Sequence, residues 1–164
     1  MSETAQSSKI CTLDTQNYTE IVELHTEKDG AGSMWNYTKE EGNGKPIGHK
    51  GKWRSPNNEK PFIVWFQFSS QRKVSKLGFS ICKNVDRSPK KFQIFATNNF
   101  TKTDASWNNL TTINDAGFTS PNQCKLWSIG ETEQSLYKWY GLKIIESTKK
   151  RRVALRDIKM WVRK

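Results

Sequence analysis

Along residues 62–68 the chain reads Phe-Ile-Val-Trp-Phe-Gln-Phe, with Phe62, Val64, Phe66 and Phe68 alternating against Ile63, Trp65 and Gln67. A period of two sends successive side chains to opposite faces of a strand. Both faces are apolar near its start, which predicts a central strand. The same period recurs downstream. Val74, Lys76, Gly78 and Ser80 oppose Ser75, Leu77, Phe79 and Ile81. Phe92, Ile94 and Ala96 share one face, and Gln93, Phe95 and Thr97 the other. Cys124, Leu126 and Ser128 oppose Lys125, Trp127 and Ile129. Tyr137, Trp139, Gly141, Lys143 and Ile145 oppose Lys138, Tyr140, Leu142 and Ile144. In the last segment Val153, Leu155, Asp157, Lys159 and Trp161 alternate with Ala154, Arg156, Ile158, Met160 and Val162.

No segment carries an apolar stripe at helical spacing. Short strands in series, separated by turn residues, predict an all-β antiparallel sandwich or barrel. Residues 29–61 are rich in Gly, Lys, Asn and Pro and read as a long loop region. Residues 1–16 are polar and are expected to form a flexible N-terminal segment ahead of a domain spanning 17–164. The whole chain of 164 residues fits one domain.

Composition sharpens this picture. Seven Trp and eight Phe stand in a chain whose mean hydropathy is −0.81, so a few large rings carry much of the burial. The formal net charge is +11 and the pI about 9.7. A field of that size attracts nucleic acid, acidic lipid, sulfated glycan or an acidic protein face without choosing among them; it also serves plain solubility. Nucleic acid rests on charge alone, since no recognised binding module is present.

Three cysteines, Cys11, Cys82 and Cys124, are too few and too widely spaced for a disulfide framework or a zinc site, and leave room for one pair. The first ten residues lack an apolar signal region, which favours a cytoplasmic address. A signal already removed would make the protein extracellular, and four Asn-x-Thr triplets, at Asn17, Asn36, Asn99 and Asn109, keep that address open. About two such triplets would arise by chance. No apolar run approaches the roughly 20 residues of a membrane span.

The stretch KWRSPNNEKPFIVWFQFSSQRKVSKLGFSI resembles the front half of a discoidin domain, the C-type domain of coagulation factors V and VIII. The stretches FQIFATNN and SWNNL resemble its next landmark, and YKWYGLKIIES with VALRDIKMWV its closing strands. The resemblance covers roughly residues 20–163. It implies a galactose-binding-like jelly roll with ligands held by loops at one end. The family's usual Val-Asp-Leu-Gly is replaced by Phe66-Gln67-Phe68-Ser69, and Cys11 lacks a cysteine near the C-terminus to bracket the domain.

Three candidate sites follow. Basic residues crowd three loops: Lys45, His49, Lys50, Lys52 and Arg54; Lys83, Arg87, Lys90 and Lys91; and Lys149, Lys150, Arg151 and Arg152. Gathered at one end of a jelly roll they would bind an anion through charge-assisted hydrogen bonds, whereas separately they are solvated turns. A sugar site drawn from the resemblance would use Asn84, Asp86 and Lys91 with His49 upstream. Here Asn84 stands where fucose-binding members carry Arg. Trp53 beside His49 and Arg54 could stack on a sugar ring, although core support suits it better; Trp35 and Tyr37 are the better rim aromatics. A structural calcium, again implied by the resemblance, would draw on Asp29 and Asp157, and is the one cofactor left open.

Catalysis finds no footing: two His supply few general bases, and no nucleotide or zinc motif is present. The reading is a non-catalytic module that recognises a carbohydrate or other anionic ligand. The alternative is an intracellular protein–protein interaction module docking against an acidic surface in a larger assembly.

Overall fold

The computed structural model describes residues 3–6, 13–21, 34–36, 52–54, 61–101, 106–129, 135–149 and 152–164. Its strands, in chain order, are β1 (Glu3–Gln6), β2 (Tyr18–Ile21), β3 (Met34–Asn36), β4 (Lys52–Arg54), β5 (Phe62–Arg72), β6 (Lys76–Ile81), β7 (Pro89–Thr97), β8 (Asn108–Ile113), β9 (Cys124–Ser128), β10 (Tyr137–Ser147) and β11 (Ala154–Arg163). One sheet runs β1-β9-β6-β11-β2, with β4 also pairing with β11; the other runs β3-β5-β10-β7-β8. Pairing is antiparallel except between β3 and β5, which run parallel. Among the described residues no helix is long and apolar enough to cross a membrane.

The core lies where the two sheets face each other. Val64, Phe66 and Phe68 of β5, Tyr140, Leu142 and Ile144 of β10, and Phe92, Ile94 and Ala96 of β7 meet Leu77, Phe79 and Ile81 of β6, Trp127 of β9 and Leu155, Ile158 and Met160 of β11. Phe79 is the hub. Its ring lies 5.1 Å from that of Trp127, 5.6 Å from Phe92 and 5.7 Å from Phe118. Each such ring contributes about 1.5–3 kcal/mol by burial alone. Tyr140 binds the β5–β6 turn: its hydroxyl accepts the N–H of Val74 at 3.1 Å and donates to the carbonyl of Arg72 at 2.6 Å. Burial pushes its phenol up to about 12.

A second apolar layer covers the outer face of the β5–β10–β7 sheet. Trp65 and Phe95 flank Gly141 in register, and a Cβ on Gly141 would collide with the Phe95 ring. Phe100 and Trp107, from the β7–β8 connection, fold back over them: Trp107 stacks on Phe95 at 4.3 Å, and Phe100 lies 4.7 Å from Trp65 and 5.8 Å from Trp139. On the outside of the other sheet, Leu13 and Tyr18 pack against Cys124, Leu126 and Trp161.

The structure departs from the sequence expectations in several places. The alternation expected through residues 153–162 breaks at an irregularity between Arg156 and Lys159. The extra residue shifts the phase, so Val153 and Leu155 join Ile158 and Met160 in the core instead of facing away from them. The long loop region contains β3 and β4. Glu3–Gln6, placed by the sequence in a flexible segment ahead of residue 17, pairs with β9. Cys124 is disulfide-bonded, the one pairing that the count of three had left room for, while Cys82 is buried as a thiol.

Candidate functional site

Register decides which loops are neighbours. Ile81 pairs with Leu155, Ser80 with Cys124, and Ala154 with Arg54. Across the sandwich Ser147 pairs with Pro89, Phe92 with Ile113, and Ile144 with both Phe62 and Phe92. The transitions β4 to β5, β6 to β7, β8 to β9 and β10 to β11 therefore all join the two sheets at the same pole, where the described residues are 61, 82–88, 114–123, 148–149 and 152–153.

Hydrogen bonds tie the described loops to one another. The Ser88 hydroxyl shares a bond with that of Thr148 at 2.7 Å, and the Thr148 N–H donates to the Ser88 carbonyl at 2.9 Å. Ala116 N–H donates to the Lys90 carbonyl at 2.8 Å, and Asn122 N–H to the Cys82 carbonyl at 3.2 Å. Beneath them the Lys125 ammonium is buried, donating to the Ala116 carbonyl at 2.6 Å and lying 5.6 Å from the centre of the Phe118 ring. Gly117, with φ of 70°, turns the chain above it.

The cations on this scaffold are Lys83, Lys90 and Lys149, all exposed, and Arg87 and Arg152, both half-buried. The described acids nearby are Asp86, Asp115 and Glu146. Arg87 ends a short 3-10 turn, Val85–Arg87, capped by Asn84, whose side-chain oxygen accepts the Asp86 N–H at 3.0 Å. The Nε of Arg87 is buried and has no hydrogen-bond partner among the described residues.

The candidate residues fall out as follows. Asn84, Asp86, Arg87 and Arg152 are brought to this pole. Lys91 is two residues inside β7, in register with Glu146. Lys52, Trp53 and Arg54 form β4, paired with Arg156, Leu155 and Ala154, and Trp35 is in β3 opposite Val64; only their backbones are described. Lys45, Lys50, Tyr37, His49, Lys150, Arg151 and Asp29 lie outside the described residues. Asp157 sits at the β11 irregularity, and its side chain is not described. Among the described residues no three His, Cys, Asp or Glu gather as metal donors.

Ser88, Thr148 and Asn122 carry much of the loop architecture and went unnoticed in the sequence. Ser88 and Thr148 are sixty positions apart, so no local pattern could pair them.

No family model matches the sequence, and no curated protein does. Solved structures do. Chitosan-binding module 1 of a Paenibacillus chitosanase/glucanase superposes with a TM-score of 0.54 at 12% identity, over 87% of this chain and 92% of that one. The paired CBM32 domains of Clostridium perfringens ZmpB, solved with GalNAc, give 0.56 at 13% identity over 90% of this chain and 35% of theirs. A SusE-like protein gives 0.54 at 8% identity over 68% of this chain, which spans 52% of its length. Likenesses at such low identity speak to architecture alone, and the architecture they share with this chain is the discoidin-like, galactose-binding jelly roll.

Proposed function

We propose that this chain is a non-catalytic carbohydrate-binding module whose basic pole holds an anionic glycan, one bearing sulfate or carboxylate groups. The observation that carries the reading is the convergence of residues 82–88, the start of β7, and residues 148–149 and 152–153, which brings Lys83, Arg87, Lys90, Lys149 and Arg152 to one pole. Among the described residues the Arg87 Nε–H has no hydrogen-bond partner, and Arg87 itself is half-buried at this pole. A planar guanidinium presents paired donors that match a sulfate or carboxylate, and exposed lysines add longer-range attraction. Structural neighbours described as chitosan-binding, or solved with GalNAc, support a sugar as ligand. Among the described residues the rings at this pole are buried, so the aromatic platform falls to Trp35, Tyr37 or Trp53.

The test is retention on immobilised heparin with increasing salt. Lys83→Glu with Lys149→Glu and Arg152→Glu should lower the eluting salt markedly. Arg163→Glu with Lys164→Glu, at the end of β11 on the opposite pole, should change it little. Melting temperatures of both variants are read alongside, because Arg152 is half-buried and Arg163 donates to the Tyr18 hydroxyl at 3.1 Å. Equal losses from both sets would mean that only diffuse charge is being read.

A further inference from the structure

The Asn-x-Thr triplets at Asn17, Asn99 and Asn109 take no part in the proposed site, whereas the one at Asn36 contains Tyr37; the four positions are not scattered. Asn109 lies on β8, at one edge of its sheet among the described residues. Asn36 ends β3, the opposite edge of the same sheet. Asn17 immediately precedes β2, the outermost strand at one end of the other sheet's order. Asn99 stands in the β7–β8 connection, at the pole away from the basic loops. Asn17, Asn99 and Asn109 are all exposed.

An edge strand presents unpaired N–H and C=O groups that template pairing with another chain, and proteins blunt it with charge, proline or a cover. β8 reads NNLTTI and β3 reads MWN. Neither holds a charged residue or a proline, in a chain that is 26% charged. What both edges do hold is a triplet that accepts an N-linked glycan, a bulky and solubilising group. A second, independent feature agrees. Cys124 is disulfide-bonded, and disulfides persist in the oxidising compartments through which glycosylated proteins pass.

We propose that Asn17, Asn99 and Asn109 are N-glycosylation sites, and that the Asn109 glycan shields the uncharged β8 edge while the basic pole stays clear. The donor is a lipid-linked diphosphate oligosaccharide. The asparagine Nδ2 forms a bond to C1 of the first sugar as the bond from C1 to the diphosphate oxygen breaks. That oxygen keeps the bonding electrons and takes up the proton that the amide nitrogen loses. Asn109 is placed to carry the product: its Nδ2 donates to Thr112 Oγ1 at 2.9 Å on the exposed side of the strand, and a substituted amide keeps one N–H. At Asn17 the neighbouring Asp14 carboxylate is held below its ordinary range, first by the Asn17 backbone N–H at 2.8 Å and then by its side-chain amide.

The experiment expresses the full chain behind a cleavable signal peptide in a eukaryotic cell. Intact mass is read before and after an amidase that releases N-glycans and leaves aspartate. Peptide mapping should find that aspartate at positions 17, 99 and 109. Asn109→Gln and Thr111→Ala should each remove one glycan's mass and raise the aggregated fraction several-fold at an unchanged melting temperature. Asn99→Gln should remove the same mass without added aggregation. Absence of glycan at Asn109, or equal aggregation with and without it, would overturn the proposal. Agreement between the Gln and Ala variants separates loss of the glycan from damage to the strand.

Discussion

At the pole between β7 and β8 the connecting loop is pinned by rings. Phe100 and Trp107 bury themselves against Trp65, Phe95 and Trp139, and Asn98 clasps the approach to β10, donating to the Leu136 carbonyl at 2.7 Å and accepting the Lys138 N–H at 2.9 Å. At the opposite pole loop 114–123 is likewise anchored by a ring, Phe118 against Phe79 and Trp127, but the cation-bearing residues 82–88 and 148–149 are held by hydrogen bonds such as Ser88 to Thr148. The difference follows from what each pole exposes. A loop with aromatic side chains can be fastened by burial. One that keeps lysine and arginine in water cannot, because burying an unpaired charge costs far more than burying a ring returns. Fixing the backbone with short polar ties leaves the charged tips available.

The two modes of fastening should differ in strength. Trp107→Ala removes the ring stacked on Phe95 and should cost about 3–5 kcal/mol, read as a lowered denaturant midpoint with heparin elution unchanged in the folded fraction. A loss below about 1 kcal/mol would mean that the aromatic roof does not hold the far pole.

Tyr140→Phe, at the same far pole, strands the buried N–H of Val74 and should cost about 1–3 kcal/mol. Its pH dependence sharpens the point. The folded phenol titrates near 12, above its ordinary 10, so the folded state holds the proton that the unfolded chain releases first. The stability that this group contributes is complete below pH 10 and declines as pH rises toward 12. The Phe variant should lack that part of the alkaline loss; parallel alkaline melts of the two proteins would place the titration elsewhere.

Ser88→Ala cuts the tie at the basic pole and should cost the least, about 1–2 kcal/mol. Here the larger effect should be on ligand retention, since loops 82–88 and 148–153 would no longer share one frame. Unchanged retention would show that the cations act without that frame.

Much of the sandwich was legible beforehand, and the reason is burial. β5, β6, β7, β9, β10 and β11 each place at least one apolar face in the interior, and an interior face leaves a period of two in the chain. The strands that escaped notice are β1, β2, β3, β4 and β8. They are short or polar, and backbone pairing at the flanks of a sheet imposes no such rhythm. The discoidin resemblance pointed to the right architecture without revealing them. Runs of lysine and arginine were equally plain in the candidate site, whereas the serine and threonine that join its loops were not.

The amino-acid order by itself determined an all-β chain with aromatic interior faces and basic connections, because side-chain alternation and local charge are properties of neighbouring residues. Only the tertiary structure decided that those connections share a pole, that an extra residue near Asp157 returns Val153 and Leu155 to the interior, and that Trp107 roofs the outside of a sheet. Each of these depends on which distant strands lie side by side, and strand register is settled by the packing of the whole sandwich at once.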